Sequence, residues 1–308
     1  RRFGLRDAVI VLVSCALFYV AVPPSQFPNR LEDIPESTTT VNNEFYNTSF
    51  WAANWWSPLP KTHRPFWNPG SRGLNLLAMM NPTRIEYISW AFKNHGLQVP
   101  EGKRLRVLDV GCGGGIGAAS LLKIGYDVVA VDPATLSLDV ARAHARELGF
   151  VSDSSPSANF IEATAYKLPF PDDSFDAVTS MDVLEHIHNL PLALSEISRV
   201  LRPGGVFAFD TINRTPLSHI LVVQILQELL AVIPPGAHDW RLFITVEELI
   251  SALEAAGFHR PQIADFEGIS PVFSPLGIRH GIIPGLVSNF TSSRDLSISY
   301  MGWARLKL

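Results

Sequence analysis

From Leu105 to Ala256 the apolar positions alternate between short runs of strand length and longer stretches of helical period. Leu105–Val110 is the first short run, with Asp109 near its end. A glycine loop, Gly111-Cys-Gly-Gly-Gly115, follows it, and then a helical pattern over Ile116–Ile124. Asp127–Val131 is a second strand pattern closed by Asp132, and Leu136–Leu148 is helical up to the stop signal Gly149. Strand patterns at Asn159–Ala163 and Asp176–Ser180 lead to a helical turn at Val183–Ile187. A helix over Pro191–Leu201 then halts at Arg202-Pro-Gly-Gly205, before a strand at Val206–Asp210. Thr245–Ala256 predicts another helix, and two strands are expected near Gln262–Phe266 and Ser297–Leu306. Strands alternating with helices imply an α/β domain with a mostly parallel sheet covered on both faces.

Three segments stand outside this alternation. Ala8–Val22 is an apolar run behind Arg1, Arg2 and Arg6 and ended by Pro23-Pro24. It is shorter than the roughly 20 residues of a full bilayer span. It reads as a short anchor, a signal-type segment, the end of a targeting peptide or a helix packed on the domain. Ser25–Val41 has the Pro, Ser and Thr content of a linker. Asn42–Met80 carries Trp51, Trp55, Trp56 and Trp67 among prolines and glycines, which argues against one long helix and for a cap over a pocket. The expected division is therefore an N-terminal run at 1–24, a linker at 25–41 and a domain at 42–308, with its cap at 42–100. Within the domain an insert at 214–240 holds Leu217–Ile233, apolar nearly all round except for Gln224, Gln227 and Glu228. Such a helix is either deeply buried or meets a membrane or an apolar ligand.

Composition narrows the classes. The chain has 308 residues, 47% of them hydrophobic and 18% charged, which suits a folded domain with a large core. A net charge of -4 without clustered Lys and Arg argues against nucleic acid as a partner. The cysteines, Cys15 and Cys112, sit in unrelated contexts and form no disulfide framework.

The candidate chemistry begins at the glycine loop. A loop between strand and helix brings backbone amides and a helix N-terminus to a ligand, and Gly111 and Gly113 are read as keeping Cβ atoms out of its way. Asp132, 21 residues after Gly111, is placed to accept both ribose hydroxyls of an adenosine. This much fits either a nicotinamide dinucleotide or S-adenosylmethionine. Asp109 before the loop, Leu168-Pro-Phe-Pro-Asp-Asp-Ser-Phe-Asp176 and Leu201-Arg-Pro-Gly-Gly205 favour the second. Together they resemble the class I S-adenosylmethionine-dependent methyltransferases over Leu105–Asp210. That resemblance implies a Rossmann-like doubly wound sheet of seven strands, with an antiparallel C-terminal strand and a helical N-terminal cap. Thr164 stands near the position where many members carry an adenine-binding Asp.

Further motifs occur in order: Trp55-Trp56, Asn81-Pro-Thr-Arg84, Val107-Leu-Asp-Val-Gly-Cys-Gly-Gly-Gly115, Met181-Asp-Val-Leu-Glu-His186, Thr211-Ile-Asn-Arg214 and Pro235-Gly-Ala-His-Asp239. This ensemble resembles the ubiquinone-biosynthesis O-methyltransferases from about Asn42 to Gly268. The resemblance implies O-methylation of polyprenylated catechol or quinol intermediates. It also implies contacts to the cofactor from Arg84, Gly111, Asp132 and Met181, with Arg84 suited to the methionine carboxylate. A divalent metal, Mg²⁺ by its oxygen-rich set, is implied at Asp182, Glu185 and His186, which would share one face if they continued a helical turn. Catalysis is then expected from Glu185, His186 and His238, either imidazole being a candidate base. The implied partners are the prenylated substrate, a membrane surface and a quinone-biosynthesis enzyme complex. The implied location is the matrix side of the mitochondrial inner membrane in a eukaryote, or the cytoplasmic membrane in a bacterium. After Gly268 the family's Tyr-Asn-Pro is replaced by Ile269-Ser-Pro-Val-Phe, which leaves other lipid or phenolic substrates open. A non-catalytic, cofactor-binding subunit is the reading from a different class.

Overall fold

The computed structural model describes residues 30, 32, 34–35, 46–47, 72–95, 97, 102–150, 158–229, 233, 236–273 and 287–308. The apolar run 8–22 and the four tryptophans between 51 and 67 lie outside the described residues. Among the described residues no helix is long and apolar enough to cross a membrane.

The first long element is helix α1, Arg72–Asn94. It begins inside the stretch expected to be non-helical, and it tolerates Pro82 at the loss of one backbone hydrogen bond. Its buried face explains why it persists. Arg84, Tyr87, Ile88, Ala91 and Phe92 recur at helical spacing and are all buried.

The strands follow the order expected from the pattern: β1 Arg106–Val110, β2 Asp127–Asp132, β3 Ala158–Glu162, β4 Phe175–Met181 and β5 Leu201–Ile212, all parallel neighbours. Helices α2 Ile116–Lys123, α3 Thr135–Glu147 and α4 Leu190–Val200 connect them. Helix α5, Val246–Ala255, precedes β6 Glu267–Phe273, β7 Val287–Ser293 and β8 Ser299–Arg305. The sheet order is β3-β2-β1-β4-β5-β8-β6-β7. Strand β8 inserts antiparallel beside β5, as expected of the C-terminal strand. An eighth strand departs from the expected seven. β7 pairs antiparallel with β6, and Thr83 Oγ1 of α1 donates to the Phe290 carbonyl within it.

β5 also starts earlier than its apolar run. Leu201 pairs with Phe175 and the register then shifts, so Val206 pairs with Ala177. The loop read as a helix stop is thus a bulge within the strand. A Cβ on Gly205 would lie 2.9 Å from the Arg202 carbonyl and 3.0 Å from that of Asp176, which requires glycine at the crossing.

The sheet separates two apolar layers. Leu194 and Ile197 of α4, with Leu249 and Leu253 of α5, pack with Leu108, Val178, Phe207 and Phe209. Phe92 of α1, Leu121 of α2 and Leu138 of α3 pack with Val107, Ala130 and Ala208. The connection reverses direction between β1 and β4. The crevice at the carboxyl ends of those strands is where open α/β sheets bind ligands.

Candidate active site

The glycine loop leaves β1 at this crevice. Gly113 N–H donates to Asp132 Oδ2 at 2.8 Å, and Ala134 N–H donates to Oδ1 at 2.8 Å. The carboxylate at the end of β2 is therefore held by the backbone on both oxygens, each with a lone pair left for a ribose hydroxyl. Burial raises the Asp132 pKa from its ordinary value, against the pull of the two amides. Thr164, beyond β3, is exposed and forms an isolated bridge with Lys167.

The fold itself also requires two glycines here, one in the loop and one in α2. A Cβ on Gly111 would lie 2.4 Å from Val183 Cγ2, and one on Gly117 would lie 2.2 Å from Met181 Cε. Gly111 also has φ 76°. The loop must thus be slim to fit against the Met181–Val183 segment of its own fold, and Met181 packs onto α2 at this point. Asp109 accepts from Thr179 Oγ1 at 2.9 Å, and its Oδ2 has no hydrogen-bond partner among the described residues. Burial pushes its pKa up to about 7.

Beside the crevice lies a dense cluster of charge. Arg84 Nη2 is 2.5 Å from Asp182 and 2.9 Å from Asp210, and all but Asp182 are almost fully buried. Burial opposes the charge on Arg84, but Asp182 and Asp210 overcome it and raise its pKa. Asp210 is driven up by burial against the attraction of Arg84. Glu185 accepts from Thr211 Oγ1 at 2.8 Å, while its Oε1 has no partner among the described residues. Burial and the nearby Asp182 push Glu185 up to about 8. One guanidinium faces three carboxylates, so this pocket has a deficit of positive charge. Uncompensated buried charge is costly, so the site fits a cationic ligand.

Of the expected metal triad, Asp182 has φ 52° and precedes the tight helical turn Leu184–His186. Arg84 binds its carboxylate at 2.5 Å, and Asp182 lies near enough to Glu185 and His186 to favour their protonated forms. The described residues whose donor atoms gather within 4.8 Å of one another are Glu185, His186 and His238. The two imidazoles stack with centroids 5.0 Å apart. Burial lowers His186 to about 3, helped by His238, and lowers His238 to about 4. Both rings are neutral near pH 7, as an ion or a proton requires of them.

Several side chains that complete the site escape the linear pattern. Tyr46 lies edge-on to His186, with its hydroxyl 3.5 Å from Nε2. Asn47 Oδ1 accepts from Thr135 Oγ1 and Leu136 N–H at the start of α3, beside Asp132. The buried Arg30 donates to the carbonyls of Ile187 and His188. The apolar insert forms a single turn at Pro216–Ser218 and a π-helix at His219–Leu229. Gln227 of the π-helix is buried and grips the His238 backbone twice. Its Oε1 accepts from His238 N–H at 2.9 Å and its Nε2 donates to the carbonyl at 3.3 Å. The one clue in the sequence was the polar stripe on an otherwise apolar helix.

The doubly wound sheet, glycine loop and strand-end Asp132 form a nucleoside-cofactor crevice, and the family matches make it that of an S-adenosylmethionine-dependent methyltransferase. The methyltransferase domain family matches residues 108–209. Two solved structures share the fold. One is an S-adenosylmethionine-dependent methyltransferase of Thermotoga maritima described as a possible histamine N-methyltransferase. It has TM-score 0.51 and 18% identity, over 79% of this chain and 97% of that one. The other, from Methanosarcina mazei, has TM-score 0.50 and 20% identity, over 70% of this chain and 97% of that one. The ubiquinone biosynthesis O-methyltransferase of Dinoroseobacter shibae is 35% identical over 271 residues, 86% of this chain and 96% of the relative. That of a Methylobacterium species is 32% identical over 81% of this chain and 89% of the relative. The chain belongs to the ubiquinone biosynthesis O-methyltransferase family.

Proposed function

We propose that this protein transfers the sulfonium methyl of S-adenosylmethionine to a phenolic hydroxyl of a polyprenylated catechol or quinol, at a site that also takes a divalent ion. The observation that carries the reading is the juxtaposition of the Asp132 crevice with a buried pocket where one arginine faces Asp182, Asp210 and Glu185. The cofactor adenosine fits Asp132, and its cationic methionine end fits the acidic pocket.

A phenol with a pKa near 10 is mostly protonated at neutral pH. A divalent ion bound at Glu185 and His186 would supply Lewis acidity that favours the phenolate. Their donor set fits such an ion, because the Glu185 oxygen turned from Thr211 is buried and has no partner among the described residues. With burial holding His186 at about 3 and His238 at about 4, these neutral rings accept a hydrogen bond from the phenol and its proton ends on water. The phenolate oxygen forms its bond to the methyl carbon as the sulfur–carbon bond breaks, leaving a neutral thioether. Burial of Glu185 and the imidazoles limits competing water, and much of the remaining acceleration is positioning.

The same reading gives the insert a role at a membrane surface, where a prenyl tail resides. Its exposed ends, Leu217 and Leu229, are each 47% accessible, whereas Val222 is buried with Ile212, Trp240 and Phe243. Glutamates at Leu217 and Leu229 should reduce flotation with liposomes, measured in a form lacking residues 1–24. Unchanged flotation would remove the insert from that role. A membrane location and a quinone-biosynthesis complex as partner follow from this reading. The central test is methyl transfer from labelled S-adenosylmethionine to a short-tailed prenylated catechol. No product from protein that binds the cofactor tightly would overturn the substrate assignment and leave the fold and cofactor standing.

A further inference from the structure

We infer that Tyr46, from the part of the chain ahead of α1, borders the sulfonium of the bound cofactor and makes the site prefer cationic S-adenosylmethionine over the neutral thioether left after transfer. The inference deepens the proposed function and rests on its placement of the cofactor, with adenosine at Asp132 and the methionine end in the acidic pocket.

Tyr46 is held at both of its ends. Its carbonyl accepts from Ser137 Oγ at 3.0 Å. The next residue, Asn47, accepts through Oδ1 from Leu136 N–H at 3.0 Å and from Thr135 Oγ1 at 3.2 Å. All three donors lie in the first turn of α3, directly after Ala134, whose N–H holds Asp132. The backbone of Tyr46 is therefore fixed beside the adenosine end of the crevice. Its side chain ends on the β4 side of the glycine loop. There the hydroxyl is 3.5 Å from His186 Nε2, and the ring stands edge-on to the imidazole with centroids 5.5 Å apart. Upstream, Arg30 donates to the carbonyls of Ile187 and His188, and Ile34 N–H donates to that of His188 at 3.3 Å. The described residues ahead of α1 thus touch both sides of the glycine loop, and Tyr46 alone makes contacts on both.

The sulfonium joins the ribose to the methionine chain. In a cofactor laid between Asp132 and the acidic pocket, it falls between those two groups. Tyr46 occupies the same interval. Its pKa is raised by burial first and then by the charges of Glu185, Asp182 and Asp132, the carboxylates of both ends. It offers a cation there an electron-rich ring, and such a ring strengthens binding by about tenfold. S-adenosylhomocysteine has the same adenosine and amino-acid ends but no charge at sulfur. A side chain beside the sulfonium therefore acts on one compound and not the other, whereas a side chain that only supports the fold acts on both alike.

Calorimetric titration of the full chain with S-adenosylmethionine and with S-adenosylhomocysteine tests this. Tyr46→Leu should weaken S-adenosylmethionine by about tenfold and S-adenosylhomocysteine by less than about threefold. Tyr46→Phe keeps the ring and should keep most of the preference. Equal weakening of both compounds in a folded Tyr46→Leu, or weakening of neither, overturns the inference. Should Tyr46→Leu fold poorly, the wild-type protein answers the question directly. With ring-labelled tyrosine and an isotope-labelled cofactor methyl, the bound complex should show a nuclear Overhauser effect between that methyl and one tyrosine ring. The signal is assigned to Tyr46 by its disappearance in Tyr46→Phe, and its absence from the saturated complex overturns the inference. Wild type that binds neither compound would overturn the cofactor placement in the proposed function as well. Binding that is lost in Asp132→Asn but indifferent to Tyr46 would overturn this inference alone.

Discussion

Replacing Asp132 by asparagine isolates the cofactor site with almost no change in volume. In the native protein each Asp132 oxygen accepts a backbone N–H at 2.8 Å, from Gly113 and Ala134. An asparagine keeps one acceptor and turns an NH₂ group toward the second amide, so one of these bonds is lost. With the ribose placed on Asp132 as proposed, the asparagine would also replace two charge-assisted bonds by weaker neutral ones. Charge-assisted bonds contribute roughly 1.5–3 kcal/mol each. Losing the better part of two of them costs on the order of 3 kcal/mol, or about 150-fold in affinity. The assay is calorimetric titration with S-adenosylmethionine, with the thermal midpoint of the unliganded variant as a control for folding. Wild-type affinity should itself fall with acid as Asp132 is protonated. The fall should begin above the ordinary carboxylate range, because burial raises this group. An asparagine variant that stays folded and binds within threefold of wild type would refute the placement of the ribose on Asp132.

Three further outcomes are expected. Asp109, raised to about 7 by burial, stays protonated between roughly pH 4 and 7 while the unfolded chain ionises, so its contribution to stability is lost as pH rises through that window. The two buried imidazoles act in the opposite sense, so the difference between wild type and Asp109→Asn is the quantity to measure. The variant should gain on wild type by up to roughly 4 kcal/mol from low to neutral pH, and a pH-independent difference would argue against a buried neutral Asp109. Gln227→Leu removes both bonds to the His238 backbone, and should lower kcat while leaving the Kd for S-adenosylmethionine within about threefold; an unchanged kcat would show that the loop holds itself. Asn47→Ala removes the side-chain acceptor of Leu136 N–H in the first turn of α3, where Ala134 supplies none, and should cost about 1 kcal/mol in denaturant unfolding.

What was legible in the chain was mostly local. The order of β1 to β5 with their helices, the glycine loop and the placement of Asp132 follow from apolar period and turn chemistry, because those signals act over a few residues. The approximate ends of α2, α3, α4 and α5 were legible for the same reason. The reading failed where a distant partner overrode the local signal. The prolines and glycines of Asn42–Met80 argued against one long helix, but α1 starts at Arg72, and its buried face from Arg84 to Phe92 needs the sheet to exist. The helix stops before Arg202–Gly205 as those residues predict, yet pairing of Leu201 with Phe175 starts β5 early and makes the stretch a bulge.

The candidate site divides in the same way. The strand and loop pattern pointed to Asp109 and Asp132, and the motifs that resemble the family pointed to Arg84, Glu185, His186 and His238. Neither could decide which of them meet. Asp182 sits at φ 52° before the tight turn that carries Glu185 and His186, and Arg84, nearly a hundred residues earlier, pairs with its carboxylate. His238 is held in the same place by Gln227 of the insert, and Tyr46 by its carbonyl, which accepts from Ser137 of α3. Chain-local chemistry chose the residue types. Their convergence came from packing contacts between elements far apart in sequence, which no local periodicity encodes.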